Sequence, residues 1–342
     1  MSGDGSKIVS ASWDKTLRVW DSNTGICLWL KQGQFSLDFA IFNHDDTIIA
    51  SISLDDLLLR DVESGRVLST LQGHNGIINA LALTSDGRKI VTASDDKTAI
   101  IWDLASRCDD NLLELGKDNV TFISLNHDNS MLAALFEDKI VRVWDINTGK
   151  RILSLKGHAD NVKCVAFSHD GRKIVSGADD NTIRVWNSVT GRVLMTLKGH
   201  VGTVCAVAFK GDDTEIVSAS DDNTIRIWDT ETGMCLQIIE AQYGLASVAY
   251  CSDYDKLISN SEDEICVWDA STGVCLASLG DLPSLINNVS ASHNCMKVVI
   301  ADYDSVIHIW NYPHLQDIID NATELFNNRS LTQEEKRKFY IE

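Results

Sequence analysis

The chain has 342 residues, 44% of them hydrophobic and 23% charged, with two prolines and nine cysteines. A formal charge of −19 at pH 7 argues against nucleic acid and anionic membrane as partners, because phosphate binding is driven by Lys and Arg neutralising the backbone. No signal-peptide core follows Met1 and no apolar run is long enough to cross a bilayer, so the expected compartment is the cytoplasm.

The chain opens with a hairpin over residues 8 to 20 and a further strand over Ile26 to Leu30. The hairpin ends on Trp20-Asp21, and a Trp followed by Asp or Asn returns at Trp102, Trp144, Trp186, Trp228, Trp268 and Trp310. Most gaps are 42 residues, and the long interval after Trp20 holds a degenerate copy in which Arg60-Asp61 fills the slot. A fixed period of this length signals a repeat architecture, here of eight units.

The unit is cleanest between Gly157 and Gly199. Val162 to Phe167, Lys173 to Gly177, Thr182 to Trp186 and Val193 to Leu197 read as four strands, separated by turns rich in Asp, Asn and Gly. Four such strands form an antiparallel meander that cannot bury both its faces alone. Units must therefore stack radially and close into a ring, which also hides strand edges.

Past Trp310 this pattern stops. Leu315, Ile318, Ile319, Ala322, Leu325 and Phe326 recur at helical spacing, and Thr332 with Glu335 reads as a capping box opening a second short helix. The expected division is a repeat domain over 1–313 and a helical tail over 314–342. The first helix is expected to cover the last unit, with docking or oligomerisation as the other reading.

With these repeats the chain resembles the WD-repeat β-propeller family over residues 1 to about 311. In three units a Gly-His pair lies 28 residues before the Trp (His74, His158, His200), an Asp six before it (Asp96, Asp180, Asp222) and a hydroxyl residue ten before it (Thr92, Ser176, Ser218). The resemblance implies a hydrogen-bonded tetrad in each, ending on Trp102, Trp186 and Trp228. Buried imidazole and carboxylate are tolerable when each satisfies the other. By the same spacing, the unit ending at Arg60 lacks all four residues. The fourth unit keeps Asp138 but has Gly116 in place of His, the seventh is a residue short around Asp263, and the eighth keeps Asp304 alone.

The first unit keeps Ser10, Asp14 and Trp20, while its His would fall before Met1. Closure therefore has two readings. Seven blades result if Ile26 to Leu30 completes the last one, which leaves the hairpin 8–20 without a place. Eight result if the hairpin keeps its own blade, the first and last each lacking one strand. The intact Ser10, Asp14 and Trp20 favour eight. The expected fold is thus an all-β propeller of four-stranded blades with a short helical tail.

Catalytic motifs are absent: there is no H-E-x-x-H, G-x-S-x-G or complete P-loop. Seven of the nine histidines occupy repeat slots, three in tetrads and four (His44, His127, His169, His293) in the turn between the first two strands; His308 and His314 remain. Neither metal-ligand spacing nor a cofactor motif occurs. The four turn histidines could gather on one face and respond to pH. Cys27, Cys235 and Cys275 share one repeat slot, and the cysteines read as small buried hydrophobes rather than ligands or disulfide partners.

These features point to a non-catalytic, monomeric scaffold for protein–protein interaction. Its partner face would carry Trp13, Asp95, Asp179 and Asp221, all in turns between second and third strands, and its partner would be a basic protein or peptide. The opposite face, with Arg66, Arg88, Lys89, Lys150, Arg151, Arg172, Lys173 and Arg192, would be noticeably basic. A competing reading comes from Asn328 to Glu335, which resembles the tails of bacterial WD-repeat arrays joined to signalling NTPase or caspase-like modules. It would make the chain a sensor separated from its effector.

Overall fold

The computed structural model describes residues 1–37, 39–106, 108–115, 120–242, 244–251, 256–261, 264–280, 286–291, 297–302 and 307–311. The helical segments expected in 314–342, and Gly116, Asp263, His293, Asp304 and His314, lie outside them.

Within the described residues every regular element is a strand, and the strands form eight antiparallel sheets. Six sheets have four strands in chain order, as in blade 5 with Val162–Phe167, Lys173–Ala178, Thr182–Asn187 and Val193–Lys198. Blade 1 has three, Lys7–Ala11, Thr16–Asp21 and Cys27–Gln32, and blade 8 has Ile286–Ala291, Lys297–Asp302 and Ile307–Asn311. The strand after Trp20 thus pairs within its own blade, Val19 opposite Trp29, which decides for eight blades over seven.

The core lies between blades. Strand alternation sends one set of side chains to each face, so Leu135, Val141, Val143 and Leu155 of blade 4 meet Val162, Val165, Ile174 and Trp186 of blade 5. The first strands of adjoining blades approach one another around the axis. The repeat Trp of the inner blades are sealed in such seams, Trp102, Trp144 and Trp186 being 1% exposed, while Trp20 and Trp310 at the ends of the array are half-buried.

The Asp after the Trp has a local task. Asp145 Oδ1 accepts the Thr148 N–H at 2.7 Å and its hydroxyl at 2.8 Å, and Gly149 at φ 67° closes the turn. This side-chain turn is repeated at Asp21, Asn187, Asp229 and Asp269.

Two kinds of contact join the blades at the other turns. The turn between first and second strands takes a positive φ at Gly5, Asp46, Gly87, Asn129, Gly171 and Asp213, so Gly and Asx alternate from blade to blade. Each Asx carboxyl or amide reaches the preceding blade: Asp46 accepts the Gly3 N–H, Asn129 the Ser85 N–H, and Asp213 those of His169 and Asp170. Ring closure uses Lys297 of blade 8, which donates to Ser22 Oγ at 2.9 Å and Asn23 Oδ1 at 2.5 Å in blade 1. Lys173 makes the register-equivalent contact to Glu231 of blade 6, and Lys7 to Glu63 of blade 2.

Candidate interaction face

The tetrads fix the loops of one face. In blade 5, His158 Nδ1 meets Asp180 Oδ2 at 3.0 Å, His158 Nε2 meets Ser176 Oγ at 2.8 Å, and Trp186 Nε1 donates to the same Oγ at 2.8 Å. Asp180 also accepts the Ala159 N–H and the Thr182 hydroxyl. A neutral His158 with its proton on Nδ1 satisfies the set: imidazole donates to carboxylate, serine to Nε2, indole to serine. Blade 3 repeats this with His74, Thr92, Asp96 and Trp102, and blade 6 with His200, Ser218, Asp222 and Trp228.

The electrostatics agree with a neutral imidazole. Burial pulls His158 and His200 below the usual histidine value more strongly than Asp180 and Asp222 raise them. Burial pushes Asp222 upward, but Thr224, the Val201 N–H and His200 together outweigh it and hold the carboxyl at about 2. Ser, His and Asp here have the order of a hydrolase triad, yet Ser176 and Ser218 are 0% exposed and their oxygens are occupied by indole. Both serine oxygens are thus shielded from solvent and already hydrogen-bonded.

The incomplete blades adapt. Where blade 4 lacks a tetrad His, Arg142 Nη2 donates to Asp138 at 2.7 Å, and in blade 1 Arg18 approaches Asp14 at 3.5 Å. Trp20 still donates to Ser10 and Trp268 to Ser259. Blade 2 corrects the sequence reading. Its turn between second and third strands is one residue shorter, so Ser51 lies opposite Leu58 as Thr92 lies opposite Ile100, and therefore occupies the hydroxyl slot. Arg60 stands in the Trp slot opposite Ile49, with Ser51 Oγ and Arg60 Nε both buried without a hydrogen bond.

On the face above the tetrads, Asp95, Asp179 and Asp221 occupy one turn position, and Glu137 fills the same slot in blade 4 at the 42-residue spacing. Asp95 accepts from Asn79 at 2.5 Å, Asp179 from Lys163 at 3.3 Å and from Thr203 of the next blade at 3.2 Å, and Asp221 from Cys205 at 3.2 Å. Asn79, Lys163 and Cys205 are each the second residue of a first strand, so the carboxylates form an arc around the axis. Burial and Asp221 push the Cys205 thiol up to about 12, which keeps it protonated and unreactive.

Trp13 takes the same turn slot in blade 1 and is 78% exposed. Val201 is 81% exposed, and Ile77 and Phe35 are exposed in loops of the same face. Sequence reasoning missed Val201 and Glu137. Val201 directly follows a tetrad His, and because its N–H is held by Asp222 at 2.9 Å its side chain is turned to solvent. Glu137 was legible from the 42-residue spacing alone.

The opposite face is mixed rather than noticeably basic. Asp4, Asp86, Asp128, Asp170 and Asp212 cap its turns, each accepting a backbone N–H two residues on, and they interleave with Arg88, Arg172 and Lys173. Polar turns need such capping groups, which offset the bases. Two of the turn histidines meet there, the His127 and His169 rings lying 4.0 Å apart, beside a cavity of about 300 Å³ lined by Phe167, Phe209 and Asp213. His44 packs instead against Gly87.

The cysteine reading also changes. Cys27 is exposed and Cys235 and Cys275 are half-buried, since their slot lies on the outermost strand, where each thiol donates to the carbonyl two residues on. Cys251 is disulfide-bonded.

A family model for the WD domain, G-beta repeat, matches residues 1–21, 65–103, 111–145, 149–187 and 191–229. Autophagy-related protein 16 of Arabidopsis thaliana is 31% identical over 117 residues, covering 33% of this chain and 23% of that protein. Target of rapamycin complex subunit LST8 of Saccharomyces cerevisiae is 26% identical over 102 residues, 29% of this chain and 34% of that subunit. Human pre-mRNA-processing factor 17 is 27% identical over 103 residues, 29% of this chain and 18% of that factor. The matches thus span about a third or less of these curated relatives. Among solved structures, the computationally designed Ika8 protein superposes with a TM-score of 0.78 at 29% identity, covering 90% of this chain and 93% of that one. No helix among the described residues is long and apolar enough to cross a membrane.

Proposed function

This chain belongs to the WD domain, G-beta repeat family, and from that premise we propose that it is a non-catalytic scaffold that holds a protein or peptide segment on the face bearing Trp13, Asp95, Glu137, Asp179 and Asp221. The observation that carries the reading is the arc of carboxylates in equivalent turns of four successive blades, bordered by exposed Trp13, Val201 and Ile77. Exposed apolar anchors among charges are the composition of a selective interface. The ligand is a basic segment with at least one apolar side chain, bound by a monomer in the cytoplasm. Relatives support the general role, one being named as a subunit of a complex.

The test is affinity capture by the full chain, with the salt dependence of release. Reversing Asp95, Asp179 and Asp221 to Lys together abolishes capture, whereas reversing Arg88, Arg172 and Lys173 to Glu leaves it intact. The opposite pattern overturns the face assignment.

A further inference from the structure

The cavity on the opposite face is built from one repeat position after another. The first strands of blades 3 to 6 end in Leu83, Leu125, Phe167 and Phe209, and these four apolar side chains line it. In blades 3, 4 and 5 the next residue, Thr84, Asn126 or Ser168, is buried and caps its own turn by accepting the N–H five residues on. Blade 6 puts Lys210 in that slot. A lysine accepts no hydrogen bond, so its ammonium cannot cap the turn and instead lines the cavity, 3.5 Å from Glu215.

The slot after it carries rings. At the 42-residue spacing it holds Ser85, His127, His169 and Gly211. The His127 and His169 centroids lie 4.0 Å apart with their planes tilted by 34°. Asp213 accepts the His169 and Asp170 N–H groups at 2.7 and 2.8 Å, which draws the turn of blade 5 against that of blade 6, where a third ring of the series would stand. Gly211 leaves that place open: a Cβ built on it meets nothing within 4 Å. An opening beside two imidazoles and two phenyl rings suits a planar ring, which stacks on such neighbours.

The polar groups decide the charge of what enters. Asp213 is the single carboxylate among the described lining residues, and both its oxygens are already taken by the two N–H groups. The ring nitrogens of His127 and His169 make no hydrogen bond among the described residues. The cavity therefore offers imidazole N–H groups and an ammonium with little to compete for them, the complement of an acid.

We propose that this cavity binds a small planar aromatic acid. Its ring occupies the place left open by Gly211, against His169 and the Phe167 and Phe209 rings, and its carboxylate meets Lys210 and an imidazole N–H. An apolar floor with a few convergent polar groups is the usual make-up of a small-molecule site, and hydrogen bonds to a charged group are the stronger kind. The site lies on the face away from the acidic arc, uses none of its residues, and stands whether or not that face binds a partner.

The probe is 2-naphthoate, with 2-naphthamide as its uncharged counterpart, titrated calorimetrically into the full chain. 2-Naphthoate binds at one site, and the amide binds about tenfold more weakly. Gly211→His fills the open ring place and abolishes binding; the backbone of Gly211 lies outside the left-handed region, so the melting temperature is kept. Lys210→Met removes the preference for acid over amide. In the unaltered chain the ring protons of His169 move upfield at saturation by NMR, which reads the contact without any variant. Absence of saturable 2-naphthoate binding overturns the proposal. So do His169 ring protons that stay in place at saturation, a folded Gly211→His chain that still binds, and a preference for the acid that survives Lys210→Met.

Discussion

Asp179 and Asp180 are neighbours in sequence with different tasks. Asp180 carries four hydrogen-bond contacts beneath the loop, to His158, Ala159 and Thr182, whereas Asp179 contacts Lys163 and Thr203 at the rim. Asp180→Ala leaves a buried imidazole without its carboxylate and is expected to cost about 1–3 kcal/mol, against a few tenths for Asp179→Ala. Thermal melting of the two variants checks this, and equal losses would contradict the assignment. The same groups set the pH response. His158 and His200 are depressed from 6.5 in the fold, so the unfolded chain binds more protons below that value and stability falls as pH drops through it. Asp96, Asp180 and Asp222 are depressed from 3.8, so their contribution is full above 3.8 and is lost as pH falls through their lowered values, which for Asp222 is about 2. The melting temperature should be level above about pH 7, decline gently below 6.5 and drop steeply below 4. A melting temperature constant from pH 7 to pH 5 would sink the histidine part.

At the scale of a blade, defects reveal how much is local. Blade 2 folds without the Trp or the His: Gln34, exposed, follows Gly33 where the complete blades have His, and Arg60 replaces indole with a guanidinium that burial pulls below its usual value. Leu57, Leu59 and Ile52 are fully buried and hold the blade by packing alone. Arg60→Trp would give Ser51 the donor it lacks and remove a buried charge, raising stability by about 1 kcal/mol in denaturant titration. A loss instead would show that the pocket has closed around arginine. This blade also shows what the sequence could and could not convey. Strand positions were legible to within a residue or two, as over Val162–Phe167, because period-two burial and Asx-Gly turns both write themselves into composition. Ser51 was not, since a one-residue contraction of a turn shifts the register and breaks spacing-based matching. The arc of carboxylates was legible in part, from spacing. The exposure of Val201 depends on where a backbone N–H is spent, and the capping carboxylates that offset the basic turns resemble any other turn Asp until their bonds are seen.

At the scale of the ring, side chains of the described residues join the first and last blades. Leu17 and Val19 of blade 1 are 0% exposed and pack with Ile49 and Val62 of blade 2, while Gly5 and Ser22 receive Lys297. Deleting residues 1–20 therefore removes one wall of two seams and should abolish cooperative thermal unfolding near the parent temperature. A seven-bladed ring would tolerate the deletion unchanged.

The alternation of Gly and Asx in successive turns gives the ring unequal stiffness. Side-chain bonds bolt blade 2 to blade 1, blade 4 to blade 3 and blade 6 to blade 5, whereas at the two junctions between these pairs the same turns meet through Gly87 against His44 and through the two tilted imidazoles of His127 and His169. Flexing among these six of the eight blades is then expected to concentrate at the two junctions, and the acidic arc runs across the second of them. A ligand spanning Glu137 and Asp179 would bridge a moving joint, while one confined to Asp95 and Glu137, or to Asp179 and Asp221, would rest on a rigid plate.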